Sequence, residues 1–175
     1  IAGMIKPSAT KRQFGDADKI ETCRRIWNES KVVTAGDPVH SYLVRRTDIE
    51  NVPACIRFHP ALPYRHDSGN ITRHPAMIAK VQHANGNGVA IHRTYLTTDG
   101  SKANVPTVKK VVGSLPAGSA IRLMPVSGHM GISEGIETAL CASVRFEMPT
   151  WAAIRNTPDP PLGGLFVSSP ENSHH

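Results

Sequence analysis

The chain has 175 residues, with 20 Lys and Arg against 14 Asp and Glu, and only three cysteines. That length holds one domain, or two small ones, around a real core. No apolar run approaches the roughly 20 residues that cross a bilayer, and Cys23, Cys55 and Cys141 are too widely spaced for a disulfide framework or a zinc module, so reduced, buried thiols in a cytoplasmic protein are expected.

Residues 1–15, polar and interrupted by Pro7 and Gly15, read as a flexible arm. Asp16 to Ser30 reads as a helix, since Ile20, Cys23, Ile26 and Trp27 share a face and Asp16 or Asp18 can cap it. The segment Thr34-Ala35-Gly36-Asp37-Pro38 is a break. Asp37 then serves as N-cap with Pro38 in the first helical position, and the helix through Val39, Tyr42 and Leu43 ends near Arg46. Residues 47–75, with Pro53, Pro60, Pro63 and Pro75, read as loop-rich. Ala76 to His83 and Gly88 to Thr97 form a hairpin around Ala84-Asn85-Gly86-Asn87-Gly88. A looser basic segment from Lys102 to Lys110 leads into Val111-Val112, Pro116-Ala117-Gly118-Ser119 is a turn, and Ala120 to Met124 is a further strand.

A short run from Met130 ends in Ser133-Glu134-Gly135, and a helical pattern starts at once. Ile136, Ala139, Leu140, Ser143 and Val144 recur at helical spacing, and Glu137 meets the positive end of the helix dipole in the first turn. Pro149 ends the pattern, and Thr150 to Ile154 reads as a second strand. The expected fold class is α+β / α/β: N-terminal helices, an antiparallel hairpin sheet, then a partial βαβ unit. The segment from Asn156, rich in Pro, Gly and Ser, reads as a disordered tail, with His174-His175 as the stub of a tag.

The strand-to-helix junction is where open α/β sheets place ligands and catalytic groups. Glu134 has two readings there: a solvated carboxylate favoured by the dipole, or a Mg²⁺ ligand or general base. Charge is unevenly placed, with a net of +9 over residues 1–125 and −3 over residues 126–175. That suits a protein that grips a phosphate backbone beside a metal site, and equally a generally basic protein with solvated faces. Arg93 and Tyr95 share one face of the hairpin strand, able to hold a phosphate and stack a base or simply to form an exposed sheet face. Lys102, Lys109 and Lys110 are candidate phosphate contacts. Arg45 and Arg46 complement a helix C-terminus and join the candidate nucleic-acid surface. His59, His66, His74, His83 and His92 match no compact zinc spacing and read as solvated or hydrogen-bonded side chains.

Gly131-Ile132-Ser133-Glu134-Gly135-Ile136-Glu137-Thr138-Ala139-Leu140 resembles the first motif of Toprim domains, and more narrowly that of the Toprim-type primases of phages and mobilisable plasmids. Upstream, Arg57-Phe58-His59-Pro60-Ala61-Leu62, His74-Pro75-Ala76-Met77-Ile78-Ala79 and Ile91-His92-Arg93-Thr94-Tyr95-Leu96-Thr97-Thr98-Asp99-Gly100 resemble, in the same order, the region that precedes Toprim in those primases. The resemblance runs roughly from Trp27 to Ile154. It implies a basic pre-Toprim region over 16–125 and the first half of a Toprim domain over 126–155. It also implies magnesium-dependent nucleotidyl transfer with Glu134 as catalytic residue and metal ligand. The partners implied are a single-stranded DNA template, nucleotides, and a helicase or other replication protein, with no membrane. In that family the glutamate acts with an Asp-x-Asp pair, yet none follows Trp151. Asp159 stands alone, and no Cys/His zinc module precedes the helices. The expectation is a piece of a DNA primase that is inactive by itself. The alternative is a non-catalytic, truncated Toprim-like module that binds nucleic acid or a protein.

Overall fold

The computed structural model describes residues 15–154 and a strand at 166–168. They form an α+β fold of three helices and one mixed sheet of nine strands. The elements are α1 (Asp16–Glu29), β1 (Lys31–Val32), α2 (Pro38–Thr47), β2 (Ile56–Arg65), β3 (Ile71–Gln82), β4 (Gly88–Tyr95), β5 (Lys109–Gly113), β6 (Ala120–Ile121), β7 (Met130–Ser133), α3 (Ile136–Phe146), β8 (Thr150–Ala153) and β9 (Phe166–Ser168). The expected arm up to residue 14, Asp159 and His174-His175 lie outside the described residues. Within the expected tail, Phe166–Ser168 instead pairs antiparallel with β7. Among the described residues, no helix is long and apolar enough to cross a membrane.

Local chemistry accounts for the helices. Gly15 is the N-cap of α1, and Asp18 serves the cap by accepting the Gly15 N–H at 3.2 Å. Asp37 caps α2 by accepting the Val39 and His40 N–H groups, both at 2.9 Å, with Pro38 in the first turn where it needs no donor. The hairpin forms as expected. His83 N–H donates to Asn87 at 2.9 Å and Gly86 N–H to His83 at 2.8 Å, closing the turn between β3 and β4. The strand expected over Ala120 to Met124 is shorter, ending at Ile121.

Residues 47–75 differ most from expectation. They contain all of β2 and the start of β3, antiparallel partners from Ile56↔Ala79 to Arg65↔Ile71. The prolines survive in a sheet because of where they fall. Pro60 sits in the register shift between His59 and Leu62, and β1 covers β2 only at Arg57 and Phe58. Pro60 and Pro63 therefore lie at a bulge or on an open edge, where a missing N–H breaks no ladder. Pro75 lacks a donor but supplies its carbonyl to Leu96 N–H at 2.8 Å.

The sheet carries a helix layer on each face. α1 packs Ile26 against Tyr64, Ile78, Ile91 and Tyr95. Its Trp27 ring lies under the Arg57 and Lys80 cations, at 4.1 and 4.3 Å. The other face joins Val39, Tyr42 and Leu43 of α2 to Met77, Ala79 and Val81 of β3 and to Ile136, Ala139 and Leu140 of α3. The βαβ unit thus shares one apolar cluster with the residues before it. Cys23 and Cys55, expected to be buried, are half-buried, and burial raises the Cys55 thiol to about 11. Cys141 differs: it is exposed on α3.

Gly113 ends β5 at φ +114°, and a Cβ there would lie 2.6 Å from the Ala90 Cα on the paired strand. Gly113→Ala should therefore lower unfolding stability by roughly 2–4 kcal/mol. Gly36→Ala, at φ +85° with nothing within 4 Å, should cost only about 1 kcal/mol. Urea denaturation of the two variants compares them directly, and equal losses would refute the close approach of β4 and β5.

Candidate functional site

The βαβ unit places Glu134 at the expected junction. β7 and β8 are parallel, with Gly131↔Thr150, Ile132↔Trp151 and Ser133↔Ala152 in register. At the carboxyl end of β7 the Ser133 hydroxyl donates to the Gly135 carbonyl at 3.1 Å, and Ala139 N–H returns to the same carbonyl at 2.9 Å. Gly135 is the N-cap of α3 in extended conformation. Glu134 lies in the bend between them and is exposed. The tight turn holds its carboxylate at the start of α3, where the helix dipole favours negative charge.

Glu137, in the first turn of the same helix, has the more structured surroundings. The Tyr42 hydroxyl of α2 donates to its Oε1, and the Lys109 ammonium at the start of β5 lies 2.9 Å from Oε1 and 3.0 Å from Oε2. Burial raises the Glu137 carboxyl, but the hydrogen bonds from Tyr42 and Lys109 outweigh it and hold the group down at about 2. Burial, and then the same carboxylate, push the Tyr42 phenol well above its usual range. Behind this trio, His92 is 8% exposed and Thr94 fully buried. Neither His92 Nδ1 nor Thr94 Oγ1 has a hydrogen-bond partner among the described residues. Burial, reinforced by the Lys109 charge, lowers His92 to about 4, so the imidazole is neutral near pH 7.

The other residues singled out in the sequence divide between the two faces. Lys109 and Lys110 are neighbours in β5, so their side chains point to opposite sides of the sheet. Lys109 meets Glu137, whereas the Lys110 ammonium sits 3.8 Å above the Tyr64 ring on the α1 side. Arg93 is also on the α1 side. The Tyr95 expectation needs correcting: the ring is 1% exposed, its hydroxyl donates to the Pro63 carbonyl at 3.0 Å, and the Tyr64 ring packs edge-on at 5.0 Å. It presents no face on which a base can stack, because α1 and the far end of β2 cover that side of β4.

Arg45 ties α2 to the loop after β4, donating to Ser41 O at 3.0 Å and Asp99 O at 2.7 Å. The Arg46 guanidinium lies 4.9 Å over the Tyr42 ring. Lys102 is exposed beside an isolated bridge to Leu96. In the sequence Glu137 reads as an ordinary first-turn carboxylate. The signal that could have marked it is a tyrosine on the buried face of α2, whose hydroxyl needs an acceptor inside the fold.

Residues 17–123 match the model of the DUF7146 family, a domain of unknown function. The chain belongs to that family. No curated protein and no solved structure matches it. The DUF7146 match runs from α1 to just past β6, so Tyr42, His92 and Lys109 lie inside it while Glu134 and Glu137 lie beyond it. The Glu137 cluster thus joins DUF7146 residues to the βαβ unit that follows them.

Both lowered pKa values make this junction acid-sensitive, and with the same sign. His92 has an ordinary value of 6.5 when unfolded and about 4 in the fold, so the protein should lose stability as pH falls from 6.5 to 4. Glu137 keeps its charge down to about 2 against an ordinary 4.5, so a second loss follows between pH 4.5 and 2. Glu137→Gln should flatten the lower window and cost on the order of 2 kcal/mol at neutral pH, whereas His92→Leu should flatten only the upper one. Urea unfolding across a pH series measures both, and unchanged acid slopes in the two variants would sink the assignment.

Proposed function

We propose that the chain is the template-holding part of a Toprim-type DNA primase of a phage or plasmid, a cytoplasmic nucleic-acid protein that makes no primers by itself. The observation that carries this reading is the β7–Ser133-Glu134-Gly135–α3–β8 unit, in which an exposed carboxylate follows the carboxyl end of a strand that pairs in parallel with the next. The ordered upstream resemblance and the net +9 of residues 1–125 support it. Exposed Arg45, Arg46 and Lys102 supply cationic groups for a phosphate backbone.

The metal that the resemblance implies is Mg²⁺, which takes one or two carboxylates, several waters and substrate phosphates. Glu134 fits the part of a single ligand whose partner oxygens come from a nucleotide. Glu137 does not add a second, being committed to Lys109 and Tyr42. A two-metal centre needs several converging carboxylates, and the described residues hold no group of three or more His, Cys, Asp or Glu disposed for a metal ion. No catalytic step is assigned to a metal on these residues. That same observation favours the second reading, a Toprim-like module that binds nucleic acid without catalysis.

Fluorescent single-stranded DNA titrated across a salt series, with and without Mg²⁺, tests the proposal. Binding should weaken steeply with salt, and Arg46→Gln combined with Lys102→Gln should reduce the log–log slope by about 1 for each phosphate that is no longer neutralised. Glu134→Gln should leave the fold and the salt slope intact while removing any Mg²⁺-dependent gain in nucleotide affinity. Absence of DNA binding at low salt would overturn the nucleic-acid reading. DNA binding without any Mg²⁺ effect would select the non-catalytic module.

A further inference from the structure

A recess of about 240 Å³ opens between α1 and the strands beneath it. Thr22, Arg25 and Glu29 line it from α1, Leu62 from β2, Arg73 from β3 and Arg93 from β4. Three arginines therefore border a small space that a single glutamate shares. That carboxylate is engaged, since Glu29 Oε2 lies 3.3 Å from the His59 ring nitrogen Nε2.

Arg93 is short of acceptors. The Arg93 Nε is buried with no hydrogen-bond partner among the described residues. The Arg93 Nη1 and Nη2 groups reach only long contacts, both 3.5 Å, to the Tyr95 hydroxyl and the Val111 carbonyl. Arg73 spends one of its five N–H donors on the Ala61 carbonyl, at 3.1 Å. A buried guanidinium donor left unpaired is costly, and gathered cations repel unless an anion joins them. Guanidinium forks match phosphate oxygens in geometry as well as in charge.

We propose that this recess binds a terminal phosphate group. Three arginines against Glu29 leave a local charge of +2, which complements a dianionic monoester rather than the single charge of a mid-strand diester. The volume also falls below the roughly 300–1,000 Å³ of pockets that take whole ligands, so a group enters and the rest of the molecule stays outside. The chemistry is shared by the 5′-phosphate end of an oligonucleotide and the terminal phosphate of a free nucleotide. The site is independent of the Glu134 reading: Arg93 and Tyr95 lie on the α1 face of the sheet, while Glu137 and Lys109 meet α3 on the other.

Isothermal titration of inorganic phosphate into the chain, in low-chloride buffer, tests it. The expected result is saturable binding that Arg25→Gln and Arg73→Gln each weaken at least about tenfold, with melting temperatures of the unliganded variants unchanged. The two substituted arginines are exposed, so these variants avoid the packing damage expected at Arg93. Tighter binding of a 5′-phosphorylated oligonucleotide than of its 5′-hydroxyl twin, lost in Arg73→Gln, would identify a strand end as the source. ATP binding lost in the same variant, with the two oligonucleotides equal, would identify a free nucleotide. Absence of phosphate binding, or phosphate binding equal in parent and variants, would overturn the site, and equal oligonucleotides without ATP binding would overturn its preference for a terminal phosphate.

Discussion

Strand β3 is the constraint on which the rest of the structure depends. Along one edge it pairs with β4. Along the other it pairs with β2 as far as Ile56↔Ala79, and then, at Gln82↔Ala120, with β6. That last pairing leads through β6, β8 and β7 to the Glu134 junction. The middle of β3 is buried on both faces, with Ala76 and Ile78 in the α1 cluster and Met77, Ala79 and Val81 in the α2–α3 cluster. A strand covered on both sides reads as a continuous apolar run, and Ala76-Met77-Ile78-Ala79 does. Its length lets one element hold the antiparallel hairpin and the parallel βαβ unit in a single sheet with two helix layers.

Features governed by neighbours in sequence were legible. The Asp37 cap with Pro38, the Asn-Gly turn after β3 and the β7–α3–β8 unit each depend on residues a few positions apart, and each forms where the pattern put it. β2 was not legible, because four prolines over 47–75 suppress a strand signal. Their tolerance comes from a bulge and an open edge, which only the pairing of β2 with β1 and β3 defines. Tyr95 was misjudged for a related reason. Alternation along β4 correctly placed Arg93 and Tyr95 on one face, but which face a helix covers depends on where α1 packs.

The candidate site was half legible for the same cause. The position of Glu134 in the bend between β7 and α3 was legible because turn chemistry marks it locally. Glu137 read only as a first-turn carboxylate because Tyr42 and Lys109, which fix its chemistry, lie 95 and 28 residues away. Charge counting along the chain was similarly blind to direction. Lys109 and Lys110, neighbours in β5, go to opposite faces, so one basic stretch becomes two environments. On the α2–α3 side Lys109 is matched by a carboxylate. On the α1 side Arg93 gathers with other arginines around a space that holds one engaged acid.

This division bears on what the Glu134 junction can do. Glu137 is the nearest carboxylate to it in sequence, yet Lys109 already neutralises it and Tyr42 fills part of its acceptor capacity. Recruiting Glu137 to a cation would mean breaking the bonds that tie α3 to α2 and β5, at a cost of about 1.5–3 kcal/mol for each hydrogen bond to a charged group. The Lys109 and Tyr42 bonds therefore make the Glu137 bridge a structural support that ties α3 to α2 and β5.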